Sequence, residues 1–134
     1  MRIKLLRFIE RLKKKPPVTE AMINAFIPGS GTRLPDEYLE FLRISDGIEG
    51  FIGKNSYVIF WPLEELLELN KAYQVNEYAP GLFLFGSDGG GEAYAFDTRS
   101  SMSIVRVPFV GMGLNEVRPI APTFSGFLEV LENA

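Results

Sequence analysis

Residues Leu82 to Asp97, reading LFLFGSDGGGEAYAFD, place two apolar runs on either side of three consecutive glycines. Leu82 to Phe85 has no polar alternation, the pattern of a strand covered on both faces and therefore central in its sheet. Gly89, Gly90 and Gly91 reach positive φ without the steric cost that other residues incur, so a short loop can reverse the chain between strands. The stretch predicts a central hairpin, with strands over Leu82–Phe85 and Glu92–Asp97. Ala93 and Ala95 on the second strand leave room for a helix to pack closely.

The elements around it follow from punctuation and periodicity. Leu5, Leu6, Phe8, Ile9 and Leu12 form one apolar side of a basic amphipathic helix, which Pro16 and Pro17 should stop near Lys14 or Lys15. Its basic end then suits the negative pole of the helix dipole. Thr19 can cap a short second helix through Ala25 or Phe26, followed by a turn over Pro28, Gly29, Ser30 and Gly31. Leu34 and Pro35 open a third helix with Asp36 and Glu37 in its first turn, a buried side of Tyr38, Leu39, Phe41 and Leu42, and Asp46-Gly47 as its stop. A hairpin is expected over Phe51–Ile52 and Tyr57–Trp61, then a helix from Pro62 with Leu63, Leu66, Leu67 and Tyr73 inward. Ser103–Val107 continues the meander, Val117 and Ile120 add a short edge strand, and Thr123 caps a last helix carrying Phe124, Phe127, Leu128 and Leu131. Segregated helices and strands predict α+β over alternating α/β. The 134 residues fit one domain, 1–134.

Composition narrows the chemistry. With no cysteine and no histidine, disulfides, thiolate and imidazole metal ligands, cysteine nucleophiles and the Ser-His-Asp triad are excluded. Residues 1–15 hold seven basic side chains and one acid, whereas the rest of the chain holds seven basic and sixteen acidic ones. That acidic body repels a phosphate backbone and favours basic partners, so no nucleic acid is expected. The charges at Arg7 and Arg11 interrupt the first apolar segment, so it does not read as a signal peptide, and no stretch is long enough to span a bilayer. No membrane association is expected, and the cytoplasm is the expected compartment.

Asp88, Glu92 and Asp97 invite a reading as a carboxylate cluster for Mg²⁺ or Ca²⁺. The spacing opposes it, because calcium loops alternate oxygen donors before their glycine and Asp88 runs straight into glycines. A phosphate cradle would need a lysine and a following helix, and this loop has acids and a following strand. A structural turn is the preferred reading, with no metal, no cofactor and no catalytic residue. Trp61 reads first as packing and second as a ligand platform.

In combination, Leu34-Pro35 with Tyr38, Phe41 and Leu42, then Asp46-Gly47, then Gly86-Ser87-Asp88-Gly89-Gly90-Gly91 followed by Asp97, and finally Phe124, Phe127 and Leu128, resemble the SUKH superfamily. That group includes the fungal Smi/Knr regulators of cell-wall synthesis and bacterial toxin-immunity proteins. Asp46 stands where the family often has asparagine, and Gly111 to Arg118 matches no part of the pattern. The resemblance implies an α+β domain with helices flanking a single mixed or antiparallel sheet, without enzymatic activity, that binds proteins, with a cognate toxin, such as a nuclease, as the expected partner. An acidic inhibitor is steered quickly onto a nuclease's basic face, so the expected surface comprises Asp88, Glu92 and Asp97 with Glu64, Glu65, Glu68 and Trp61. A regulatory scaffold for an endogenous protein, and a small-molecule or metal-binding domain using a pocket beside the central hairpin, stay open as alternatives. The sequence leaves the oligomeric state open.

Overall fold

The computed structural model describes the backbone of residues 2–30 and 33–134 and the side chains of residues 5–26 and 33–134. Six strands form one antiparallel sheet whose spatial order is the chain order: β1 (Glu49–Ile52), β2 (Ser56–Phe60), β3 (Leu82–Ser87), β4 (Glu92–Asp97), β5 (Ser103–Pro108) and β6 (Arg118–Ala121). This α+β meander has the expected hairpin at its middle. Every residue of β3 is buried, as the uninterrupted apolar run requires.

One face of the sheet carries α1 (Arg2–Ile9), α2 (Glu20–Ser30), α3 (Asp36–Ile44) and α6 (Phe124–Asn133). Their apolar sides meet Phe60, Phe83, Phe85, Tyr94 and Phe96 in the larger core. Phe124 lies with its ring centroid 5.3 Å from Tyr38 and 5.1 Å from Phe41. Such pairs add about 0.5–1.5 kcal/mol each beyond the burial itself. The Tyr38 hydroxyl has no partner among the described residues, and burial pushes its pKa far up.

The other face is covered over its central strands only. The short α5 (Val75–Tyr78), joined to α4 (Leu66–Ala72), brings Val75 and Ala79 onto Leu82, Leu84, Ala93, Ala95, Val105 and Val107. The two alanines therefore have the close-packing helix predicted for them. Among the described residues no helix lies over the β1–β2 end of this face, and we call it the open face.

Several boundaries differ from the sequence reading. The first helix ends at Ile9, not Lys14 or Lys15. The Lys15 amide bonds Ser45 Oγ at 2.7 Å and the Asp46 amide bonds the Pro16 carbonyl, which draws the chain out of the helix before the prolines. Lys14 still meets the helix end, its Nζ donating to the Ile9 carbonyl at 2.8 Å. The second helix passes through Pro28 to Ser30, because proline has a helical φ and forfeits one bond; Gly31, the last residue of the expected turn, lies outside the described residues. The helix after Pro62 breaks where Gln74 takes φ 55°, and Leu67 and Tyr73 are exposed, not inward.

The third helix stops at Ile44 and is closed by an extended Ser45, so Gly47 is not its cap. Asp46 instead accepts the Leu63 amide at 2.8 Å, opening the 3-10 turn Leu63–Glu65 from seventeen residues away. Burial raises the Asp46 carboxyl above its ordinary 3.8, the Leu63 bond opposes this, and Glu64 and Glu65 add to the rise. A carboxyl with a raised native pKa favours folding when protonated, and that contribution is lost as pH climbs from the unfolded value through the native one. Asp46→Asn keeps an acceptor and removes the charge. Urea midpoints are expected to rise for this variant at pH 7, with the gap closing as pH falls toward 3.8; an equal gap at both pH values would refute the assignment.

Candidate protein-binding surface

The acids singled out in the sequence do not converge. Asp88 Oδ1 accepts the Gly90 amide at 2.8 Å and the Glu92 amide at 3.2 Å, so its carboxylate closes its own loop. Glu92 projects on the helical face toward Arg106, 3.8 Å away. Between them lies Tyr94, whose phenol is pushed up to about 12 by burial and by the Asp88 charge, with Arg106 opposing and Glu92 adding. Asp97 is buried at the far end of β4, roughly 17 Å along the strand from Glu92, and takes the Arg99 amide and guanidinium at 2.9–3.0 Å. Among the described residues no three acids gather as a metal site.

Glu64, Glu65 and Glu68 are exposed on the 3-10 turn and α4. Trp61 is half-buried, its amide donating to the Phe85 carbonyl at 3.1 Å, which fixes it at the end of β2. Its indole stacks on Tyr73 at 6.1 Å, and Phe109 completes the group 4.8 Å from Tyr73. Tyr73 is 41% exposed and the neighbouring Val110 92% exposed.

Trp61 continues a row along the open face. In the β1–β2 register Phe51 lies opposite Tyr57 and Glu49 opposite Ile59, on the side away from the buried Ile52, Val58 and Phe60. Phe51, 54% exposed, meets Tyr57 edge to face at 5.2 Å. The glycine loop folds over this row: a Cβ on Gly89 would stand 2.9 Å from the Tyr57 ring, and its φ is +79°. The loop's glycines therefore seat it against Tyr57 and Ile59, within a strip whose aromatics are Phe51, Tyr57, Trp61, Tyr73 and Phe109. Of the residues chosen from sequence only Trp61 belongs to it. In sequence β2 is apolar at both parities, which reads as a strand covered on both faces, and the packing puts a helix over only one of them.

Such an arrangement offers area and shape, and on it the Tyr57 hydroxyl donates to Glu49 Oε2 at 2.5 Å. A cleft of about 660 Å³ beside the hairpin is lined by Asn70, Lys71, Gln74, Leu82 and Thr98, but the Asn70 amide is already bonded to the Leu84 backbone. A family model described as SMI1 / KNR4 family (SUKH-1) matches residues 17–130. The chain belongs to that family. Among curated proteins none matches it. The matched span of this SUKH-1 chain takes in the whole sheet and the aromatic strip, and leaves α1 outside. SUKH domains are generally non-catalytic and associated with protein partners, consistent with an open face built from aromatic side chains. No helix among the described residues is long and apolar enough to cross a membrane.

Proposed function

We propose that the chain is a single, cytoplasmic, non-enzymatic SUKH-1 domain that neutralises a toxin by binding it directly, with the open face as its contact surface. The observation that carries this reading is the aromatic strip left uncovered by helices, since aromatic side chains dominate binding energy at protein interfaces. Charge supports the choice of partner. Residues 61–92 hold six acids and one base, with Glu64, Glu65 and Glu68 exposed on the segment between Trp61 and Tyr73, a setting that favours a basic protein such as a nuclease. Glu64, Glu65 and Glu68 act in steering, and Asp88 holds the glycine loop that seats against Tyr57.

Co-expression with the product of an adjacent toxin-like gene tests it. A complex and protection of cells are expected, and Trp61→Ala or Tyr73→Ala should weaken the complex at least about tenfold while shifting the melting temperature by only a few degrees. No complex and no protection with any neighbouring toxin would sink the immunity reading. A pull-down that recovers only housekeeping proteins would move it to a regulatory scaffold for an endogenous partner.

A further inference from the structure

We propose that the chain pairs with a second copy of itself through the outer edge of β1, the two strands lying antiparallel about a two-fold axis at Gly50 so that the two sheets join. In an antiparallel pair alternate residues turn their backbone polar groups toward the neighbour. The Phe60 amide bonds the Ile48 carbonyl at 2.8 Å, so Ile48, Gly50 and Ile52 face β2, and Glu49 and Phe51 direct N–H and C=O outward. Among the described residues no backbone group bonds them. Edge strands are normally blunted by proline or by cationic side chains of their own. At the far edge β6 carries Pro119 beside Arg118, whereas β1 has neither and leaves Phe51 exposed.

The charges at this edge are divided along its length, and that division selects the occupant. Beside Phe51 a cleft of about 670 Å³ is lined by Arg7, Glu10, Arg11, Lys54 and Glu132. Arg7 pairs with Glu132 at 3.4 Å, whereas among the described residues no carboxylate pairs with Arg11 or Lys54. Toward the other end stands Glu49, whose Oε2 accepts the Tyr57 hydroxyl at 2.5 Å and whose Oε1 remains to accept a second donor. A strand carrying only acids would meet Glu49, and one carrying only bases would meet Arg11 and Lys54. An antiparallel second copy brings acid to base at both ends of the contact, which neither of those strands can do.

The same groups set the register. Placing Glu49 opposite the partner's Phe51, and Phe51 opposite the partner's Glu49, uses the outward N–H and C=O of both residues in each copy. Shifting toward a Glu49–Glu49 pair opposes like charges, which is unfavourable across a strand pair. Shifting toward a Phe51–Phe51 pair carries Glu49 past Ile52, the end of the partner's strand. In the favoured register the partner's Glu49 lies beside Phe51, on the side where Arg11 and Lys54 stand, and the contact repeats across the axis. The two Phe51–Tyr57 pairs become neighbours on the open face, so the aromatic strips of both copies join. Each chain has a net charge of −3, a repulsion largely screened beyond about 8 Å at physiological ionic strength, so the groups at the edge decide the contact. Its short length places it among weak, reversible interfaces.

Sedimentation equilibrium and amide exchange of the ¹⁵N-labelled chain, from low micromolar to millimolar concentration, test the pairing. The average mass should rise from 15.0 kDa toward twice that value. Over the same range exchange at Glu49 and Phe51 should slow at least about fivefold, while Gly50 and Ile52, already bonded inward, change little. Arg11→Glu and Glu49→Lys, both at exposed positions, should each weaken self-association at least about tenfold while melting within a few degrees of the parent. Mixed together, the two variants should associate as tightly as the parent, because the acid introduced in one meets the base introduced in the other and the second pair is unchanged. A mass that stays at 15.0 kDa up to millimolar concentration overturns the proposal. So does association that leaves Glu49 and Phe51 exchanging as in the dilute chain, or a mixture that associates no more tightly than either variant alone.

Discussion

Gly86→Ala is expected to destabilise the protein by about 3 kcal/mol, the upper part of the usual range for overpacking a tight site, and to lower its melting temperature by roughly 10 °C. A Cβ at this position would lie 2.4 Å from the Ile59 carbonyl oxygen and 3.4 Å from Phe60 Cα. Both are backbone atoms, with no rotamer by which to retreat. They belong to the seam where β2 meets β3 through the pairs Ile59–Ser87 and Phe60–Gly86, beside an irregularity in β3 between Leu84 and Gly86. Opening that seam also disturbs the bond that holds Trp61 to Phe85, so indole fluorescence should shift with the loss of stability. Gly91→Ala is the control, because nothing lies within 4 Å of the added carbon. Urea denaturation with both variants decides the matter: a Gly86→Ala change as small as that of Gly91→Ala would show that the seam yields freely.

Asn70→Ala is expected to cost about 3 kcal/mol, from leaving two backbone groups of a central strand unpaired at roughly 1–3 kcal/mol each. After Phe60 the chain turns away at Pro62, so β3 loses its neighbour on that side before Leu84. The Asn70 side chain takes the place of the missing strand. Its Oδ1 accepts the Leu84 amide at 2.8 Å and its Nδ2 donates to the Leu84 carbonyl at 2.9 Å and to the Leu66 carbonyl of its own helix at 2.8 Å. Asn70→Asp keeps the acceptor but sets a carboxylate against two carbonyl oxygens, so it should be less stable than the parent and recover part of the deficit when acidified. Hydrogen exchange at Leu84 gives the local readout. An amide there that stays as protected in Asn70→Ala as in the parent would mean that water or a shifted strand takes over the bond.

How legible these features were depends on how far the deciding partner lies along the chain. Thr19 and Thr123 act as local caps, accepting the Met22 and Gly126 amides at 3.1 Å, and a threonine at the head of an apolar repeat announces that role by itself. Glu37 reads locally as a first-turn acid of its own helix, yet its Oε1 accepts the Ser125 amide at 3.0 Å, eighty-eight residues away. Asp46 likewise reads as a helix stop and serves instead to open the turn at Leu63. Asn70 gives no signal beyond being an indifferent helix former. The candidate site follows the same rule. Its acids were conspicuous in the sequence and are divided between loop closure, an ion pair on the helical face and a buried pair with Arg99. Of its aromatics, Trp61 was read as packing and Tyr73 as inward, because an apolar residue carries no mark of which sheet face will be left without a helix.

By itself the sequence determined the central hairpin, its three-glycine loop, most of the helix starts and the absence of histidine and cysteine chemistry. These follow from φ/ψ limits, from capping and from residue type, all of which act within a few residues. Only the tertiary structure decided that α4 and α5 cover the middle of the second face and stop short of β1 and β2, since that depends on where Gln74 breaks the helix and where Asn70 pins it to β3. The exposed Phe51 and Tyr73, and the half-buried Tyr57, Trp61 and Phe109 between them, are consequences of that packing. They arise from the relative placement of elements far apart in the chain, which no local pattern encodes.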